Sequence, residues 1–126
     1  MSYVLDASAV LAYLHREAGY DEVSEILAGS RISCVNWSEV AQKIRQKGLD
    51  ATNVRGLLRE LGLRFAPFTV PQAEIAADLW DQTRRHGLSL ADRACLAFAM
   101  ELDETVFTTD TVWGKLKLEF DIRLLR

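Results

Sequence analysis

Very little in this sequence interrupts it. Only two prolines, and no repetitive, Gly/Ser-rich or low-complexity stretch, break up the 126 residues. That excludes a flexible linker and leaves residues 1–126 as one domain, large enough to bury a core. Long apolar runs are missing too. The longest, Ala94 to Met100, falls far short of the roughly 20 residues needed to cross a bilayer. No basic segment followed by an apolar core opens the chain. The expectation is a cytoplasmic protein with no membrane partner. Cys34 and Cys95 stand in separate apolar stretches without CxxC or Cys/His spacing. Both are expected as small buried side chains, and a zinc site is excluded. His15 and His86 have no companion at ligand spacing and are expected at the surface or at helix ends. Basic charge is not in excess: 15 Lys and Arg face 18 Asp and Glu, for a net charge of −3.

What the sequence does have is alternation. Apolar runs at 2–5, 31–35, 63–66, 104–108 and near 120–124 read as buried strands. Helical spacing fills the intervals, at Ala9 to Leu14, 21–28, 37–47, 51–61, Pro71 to about Arg85, and 90–101. A short turn is expected around Val112-Trp113-Gly114. Gly62 and His86-Gly87 are natural stops, and Pro71 is well placed to open its helix. Buried faces are expected from Trp37, Val40, Ala41 and Ile44; from Val54, Leu57, Leu58 and Leu61; and from Ile75, Ala76, Leu79 and Trp80. The helix at 90–101 is apolar nearly all round and belongs in the centre. Short apolar strands separated by helices describe an α/β fold, a parallel sheet covered on both faces. Ligands of such sheets bind beyond the carboxyl ends of strands, where strand order reverses.

Four carboxylates stand where that rule looks for them. Asp6 follows Tyr3-Val4-Leu5, and Asp110 follows Thr105 to Thr109. Glu39 falls just inside the helix after Ile32 to Val35, and Asp92 opens the apolar helix. Each has a local explanation. Asn36-x-x-Glu39 and Ser89-x-x-Asp92 fit a helix cap followed three residues later by an acid, and Asp6 and Asp110 fit caps of the segments they precede. Capping and coordination are compatible, since one carboxylate can do both. Four acids converging at one sheet edge would repel one another unless a hard divalent cation neutralised them. Mg²⁺ or Mn²⁺ held by acids points to phosphodiester chemistry. Setting the four aside nearly balances the remaining charge, so an acidic chain remains compatible with an RNA substrate.

The segments that carry these acids also carry a resemblance. Val4-Leu5-Asp6-Ala7-Ser8-Ala9-Val10-Leu11, Ser33-Cys34-Val35-Asn36-Trp37-Ser38-Glu39-Val40, Leu88-Ser89-Leu90-Ala91-Asp92-Arg93-Ala94-Cys95-Leu96-Ala97 and Val106-Phe107-Thr108-Thr109-Asp110-Thr111-Val112-Trp113 occur in order over nearly the whole chain. Together they resemble the PIN-domain family, and within it the VapC-type toxins of bacterial toxin–antitoxin pairs. The resemblance implies a flavodoxin-like three-layer sandwich whose five-stranded parallel sheet has the order 3-2-1-4-5. It implies a metal-dependent endoribonuclease with Asp6, Glu39, Asp92 and Asp110 at the family's acidic positions, and Ser8 and Thr108 at its hydroxyl positions. It further implies a homodimer and a small VapB-type antitoxin as partners.

On that reading Asp6 and Asp110 hold one Mg²⁺ or Mn²⁺, with Asp92 and Glu39 completing its surroundings or holding a second ion. Ser8 and Thr108 orient carboxylates. Water activated by the metal attacks phosphorus, leaving 5′-phosphate and 3′-hydroxyl ends. Arg93, beside Asp92, is the nearest basic residue to meet RNA. Lys43, Arg45, Lys47, Arg84 and Arg85 fit a solvated helix face better. Trp113 is a base-stacking candidate that fits packing better, and Trp37 and Trp80 are expected in the core or an interface. Other readings remain: a PIN nuclease of RNA maturation, or a non-catalytic module that binds RNA or a partner. A phosphatase of the haloacid dehalogenase type would need a second Asp at position 8, where Ser8 stands. A response-regulator receiver would need an acidic neighbour for Asp6, and there is none.

Overall fold

The computed structural model describes residues 2–118 and 120–125, so the outermost residues of the expected domain, Met1 and Arg126, lie outside the described residues. Five short strands, β1 (Val4–Leu5), β2 (Arg31–Ser33), β3 (Arg64–Ala66), β4 (Val106–Thr108) and β5 (Ile122–Leu124), form one sheet in the order β3-β2-β1-β4-β5. Every pairing is parallel. The expected order is therefore observed, with β1 in the centre and β4 beside it. The chain fills one half of the sheet with β2 and β3, then crosses back to build the other half. The reversal falls between β1 and β4, where Val4 pairs with Val106 and Leu5 with Phe107.

Helices α1 (Ala7–Leu14), α2 (Tyr20–Ile26), α3 (Cys34–Gln46), α4 (Ala51–Glu60), α5 (Val70–Asp78), α6 (Trp80–Thr83) and α7 (Leu90–Leu102) are joined by two 3₁₀ segments, Arg84–His86 and Thr111–Lys115. Alternation along the strands feeds two cores, as a pleated sheet requires. Leu5 and Phe107 pack with Ala9, Val10, Val23, Val40, Ile44 and Leu58 from α1 to α4. Val4 and Val106 face the other way, against Leu79, Cys95, Leu96, Phe98 and Trp113. This is the expected three-layer sandwich. Helix α7 is buried continuously from Ala94 to Ala99, in keeping with its apolar circumference.

Several boundaries and burials differ from expectation. Helix α3 starts at Cys34, because the Ser33 hydroxyl accepts from the Val35 amide and caps it. Asn36 is thus inside the helix instead of capping it, and Glu39 sits in its second turn. Cys34, expected buried, lies in the first turn and is exposed, whereas Cys95 is buried as expected. The helix expected from Pro71 to Arg85 divides after Asp78 into α5, α6 and a 3₁₀ turn. The Thr83 hydroxyl donates to the Leu79 carbonyl at 2.8 Å there, the kind of back-bond that bends a helix. Trp80, expected on the buried stripe, is left 50% exposed, and Leu57 on α4 and Leu61 at its C-cap are 61% and 48% exposed. Helical spacing marks an apolar face without saying whether anything covers it. Trp37 is half-buried and meets Phe65 edge-on, with ring centroids 5.1 Å apart.

Candidate active site

The parallel sheet brings the carboxyl ends of β1, β2 and β4 to one edge, with the amino ends of α1, α3 and α7 beside them. Asp6, Glu39, Asp92 and Asp110 line a single cavity at that edge, of about 180 Å³, together with Ala7, Ser8, Leu11 and Lys43. Four acids from four distant segments are thus brought together at the point where strand order reverses.

Each is held by the backbone geometry that its position demands. Asp6 is the N-cap of α1, its Oδ1 accepting from the Ala9 amide at 2.9 Å. Asp110 caps the 3₁₀ segment, its Oδ1 accepting from Val112 at 3.0 Å. Asp92 and Ser89 form the expected capping box at the start of α7, with bonds of 3.0 and 3.1 Å. Glu39 is held differently: Asn36, buried within α3, donates one amide to Glu39 Oε1 at 3.2 Å and to the Ala91 carbonyl at 3.1 Å. One side chain therefore links the helix carrying Glu39 to the residue before Asp92. Spacing alone suggested Asn36 as a cap and missed this bridge.

Ser8 and Thr108 sit on Asp6. The Ser8 hydroxyl donates to Asp6 Oδ1 at 2.7 Å, and the Thr108 hydroxyl to Asp6 Oδ2 at 2.5 Å. The same hydroxyls accept from the amides that follow β4: Thr109 N–H donates to Ser8 at 2.9 Å, and Asp110 N–H to Thr108 at 3.0 Å. Two backbone donors at the end of β4 are thereby relayed onto the carboxylate at the end of β1. Arg93 is placed elsewhere. Its guanidinium donates to the Ala76 carbonyl on α5 at 2.8 Å, and the basic side chain on the acidic cavity is Lys43. Trp113 is fully buried in the core of α7, so packing accounts for it and base stacking does not.

The electrostatics follow from this crowding. Burial pushes the Asp6 carboxyl from 3.8 up to about 6; the bonds from Thr108, Ser8 and Ala9 hold it down only in part, and the Asp92 charge adds to the rise. Glu39 is also raised, first by burial and then by Asp92, with the Asn36 bond and the Lys43 charge opposing. Buried Cys95 is pushed up by desolvation and by the charges of Asp6, Asp92 and Glu39, which makes it a packing residue and not a nucleophile.

An all-carboxylate donor set suits a hard cation, and a positive charge at this cavity would relieve the cost of an ionised, buried Asp6. Among the described residues no three acidic, thiol or imidazole side chains already stand in ion-holding geometry. Mg²⁺ asks for less, since it binds through one or two carboxylates and keeps several waters. The donor chemistry therefore fits such an ion.

A parallel sheet of order 3-2-1-4-5 with acids gathered at its switch point defines a class of α/β protein with a polar, ligand-accepting edge. The family model described as PIN domain matches residues 3–118, and the chain belongs to the PIN-domain family. Solved structures of the same fold include a DNA-bound VapBC from Salmonella typhimurium (TM-score 0.76, 12% identity, 100% of this chain and 99% of that one). FitAcB from Neisseria gonorrhoeae is also similar (TM-score 0.67, 22% identity, 99% and 98%). So is a Mycobacterium tuberculosis VapC toxin described as cleaving the sarcin–ricin loop (TM-score 0.72, 13% identity, 94% and 98%). A comparison with curated protein sequences returned no match.

Proposed function

We propose that this protein is a metal-dependent endoribonuclease, the VapC-type toxin of a toxin–antitoxin pair, and that the PIN domain spans residues 1–126. The observation that carries the reading is the single cavity lined by Asp6, Glu39, Asp92 and Asp110. It is supported by the family of the chain and by the toxins among its structural neighbours.

Asp6 and Asp110 would hold Mg²⁺ or Mn²⁺, with Asp92 and Glu39 completing the site. Such an ion supplies positive charge that eases loss of a proton from water and stabilises charge building on phosphorus and the leaving oxygen. The remaining work belongs to the chain. Ser8 and Thr108 fix the orientation of Asp6 by donating to both of its oxygens. Asn36 fixes Glu39. Glu39, raised by burial and by Asp92, is the more basic for it and takes the proton of the attacking water. Lys43, one helical turn beyond Glu39, faces the incoming phosphate with positive charge. Water, and not the ribose 2′-hydroxyl, is the nucleophile, so the ends are 5′-phosphate and 3′-hydroxyl.

The partners follow the same reading: RNA as substrate, a small VapB-type antitoxin as inhibitor, and a second copy in a homodimer. The exposed Leu57 and Leu61, one turn apart at the end of α4, would offer the antitoxin an apolar contact. No helix among the described residues is long and apolar enough to cross a membrane, in keeping with action on cytoplasmic RNA. The test is cleavage of total cellular RNA by purified, antitoxin-free protein in Mg²⁺ or Mn²⁺ against EDTA, beside Asp6→Asn. Discrete, metal-dependent fragments with 5′-phosphate ends that vanish in the variant are expected. Metal-independent cleavage, or 2′,3′-cyclic phosphate ends, would overturn the proposal.

A further inference from the structure

A cluster of positive charge outside any ion pair is built by the two segments that adjoin, in sequence, the Asp92 and Asp110 turns. Arg84, Arg85 and His86 form the 3₁₀ turn that leads into the Asp92 loop. Lys115 closes the 3₁₀ segment capped by Asp110, and Lys117 follows it. These segments are separated by all of α7 and β4, yet their side chains line one open groove of about 570 Å³, with Gln82 and a lone acid, Asp81. Ion pairs among the described residues join Arg31 to Glu104 and Arg123 to Glu22; none involves the groove's cations. Four permanent positive charges gathered without an ion-pair partner among the described residues, on a chain of net charge −3, repel one another and are best satisfied by a polyanion. At a rise of about 2 Å per residue, Lys115 stands on the order of 10 Å from Asp110, close enough for one strand to touch both.

The groove has an aromatic neighbour. Trp80, half-exposed on α6, carries the Arg84 guanidinium over its ring at 5.0 Å from the centroid. An exposed indole beside cations is the combination that holds single-stranded nucleic acid, by stacking a base while the backbone is tracked by charge.

We infer that this groove binds the phosphate backbone of a single-stranded RNA segment flanking the cleaved bond, through Arg84, Arg85, Lys115 and Lys117, with Trp80 stacking on a base. The inference rests on the ribonuclease reading, but it is tested by binding in EDTA, so the two can fail separately. The full-length protein is titrated into a labelled oligouridylate, with fluorescence anisotropy read from 0.05 to 0.3 M salt. Lys115→Ala/Lys117→Ala should weaken binding at least tenfold at 0.1 M salt. It should also flatten the plot of log affinity against log salt by about 1.4, at roughly 0.7 per lost phosphate contact. Trp80→Leu should lose about fivefold or more with the slope unchanged, because stacking releases no counterions. The charge-matched control Arg55→Ala/Arg64→Ala, on α4 and at the far edge strand β3, should stay within twofold. Equal losses in control and groove variants would mean that only net charge matters, and would overturn the inference. So would unchanged binding by well-folded groove variants. Displacement of the RNA by an oligoglutamate peptide of equal charge and at equal concentration would overturn it too, by assigning the groove to an acidic protein segment.

Discussion

Replacing Asp6 by Asn should make this protein more stable while removing its proposed activity. Asp6 is 5% exposed, and its carboxyl's folded-state value of about 6 stands above the ordinary 3.8. A raised folded value means that the native state binds this proton more tightly than the unfolded chain does. The stabilisation is therefore complete below pH 3.8, declines as pH rises toward 6, and is gone above it. The gap corresponds to roughly 3 kcal/mol at neutral pH, at about 1.4 kcal/mol per pH unit. Asparagine mimics the protonated acid. Its Oδ1 can accept from Ser8 and Ala9, and its amide can donate to Thr108 once that hydroxyl turns its own proton toward Ser8, 3.2 Å away. In EDTA at pH 7.5, thermal unfolding of Asp6→Asn should lie on the order of 10 °C above the parent, and the difference should vanish near pH 3.5. A variant that melts at or below the parent at pH 7.5 would refute the claim that an uncompensated buried charge sits at this position.

The remaining predictions concern the same network and its surroundings. Ser8→Ala removes a donor to ionised Asp6 and should raise that carboxyl further, by about one unit; the acid limb of the cleavage profile should move to higher pH by that amount. Asn36→Ala frees Glu39 and the Ala91 carbonyl together. It should lower kcat at least tenfold with KM little changed, and cost about 1–3 kcal/mol of stability by chemical denaturation. Mg²⁺ at 100 times its dissociation constant should stabilise the parent by about 2.7 kcal/mol and Asp110→Asn far less, a difference that calorimetry with and without EDTA can read. Leu57→Lys/Leu61→Lys alters side chains that are largely exposed already. Stability should hold within about 0.5 kcal/mol, while capture of the proposed antitoxin, measured by co-purification, should be lost.

The order of the sheet and the positions of the four acids were legible for the same reason. Apolar runs such as Tyr3 to Leu5 and Val106 to Thr108 end in a carboxylate, and a parallel sheet gathers strand ends on one edge. What escaped were properties that only tertiary contact decides. Cys34 and Cys95 sit in equally apolar surroundings in sequence, but one falls in the first turn of α3 and the other inside the buried face of α7. Leu57, Leu61 and Trp80 obey helical spacing as well as Leu58 and Leu79 do; whether a neighbour covers them depends on elements far along the chain. The bridge from Asn36 to Ala91 and the shared groove lined by Arg84 and Lys117 join segments that no local pattern connects.

The relay from Thr109 and Asp110 through Ser8 and Thr108 to Asp6 has a consequence for the chain as it is made. Asp6 is synthesised 102 residues before Thr108, and the amides relayed onto it follow Thr108 directly. Until β4 emerges, β1 lacks its neighbour on one side and Asp6 has neither Thr108 nor its share of the cavity. Parallel pairing across so long a separation also forms late in folding. A nascent or truncated chain ending before Asp110 holds the first three acids without the fourth, so the four-acid cavity is completed only after β4 has been made.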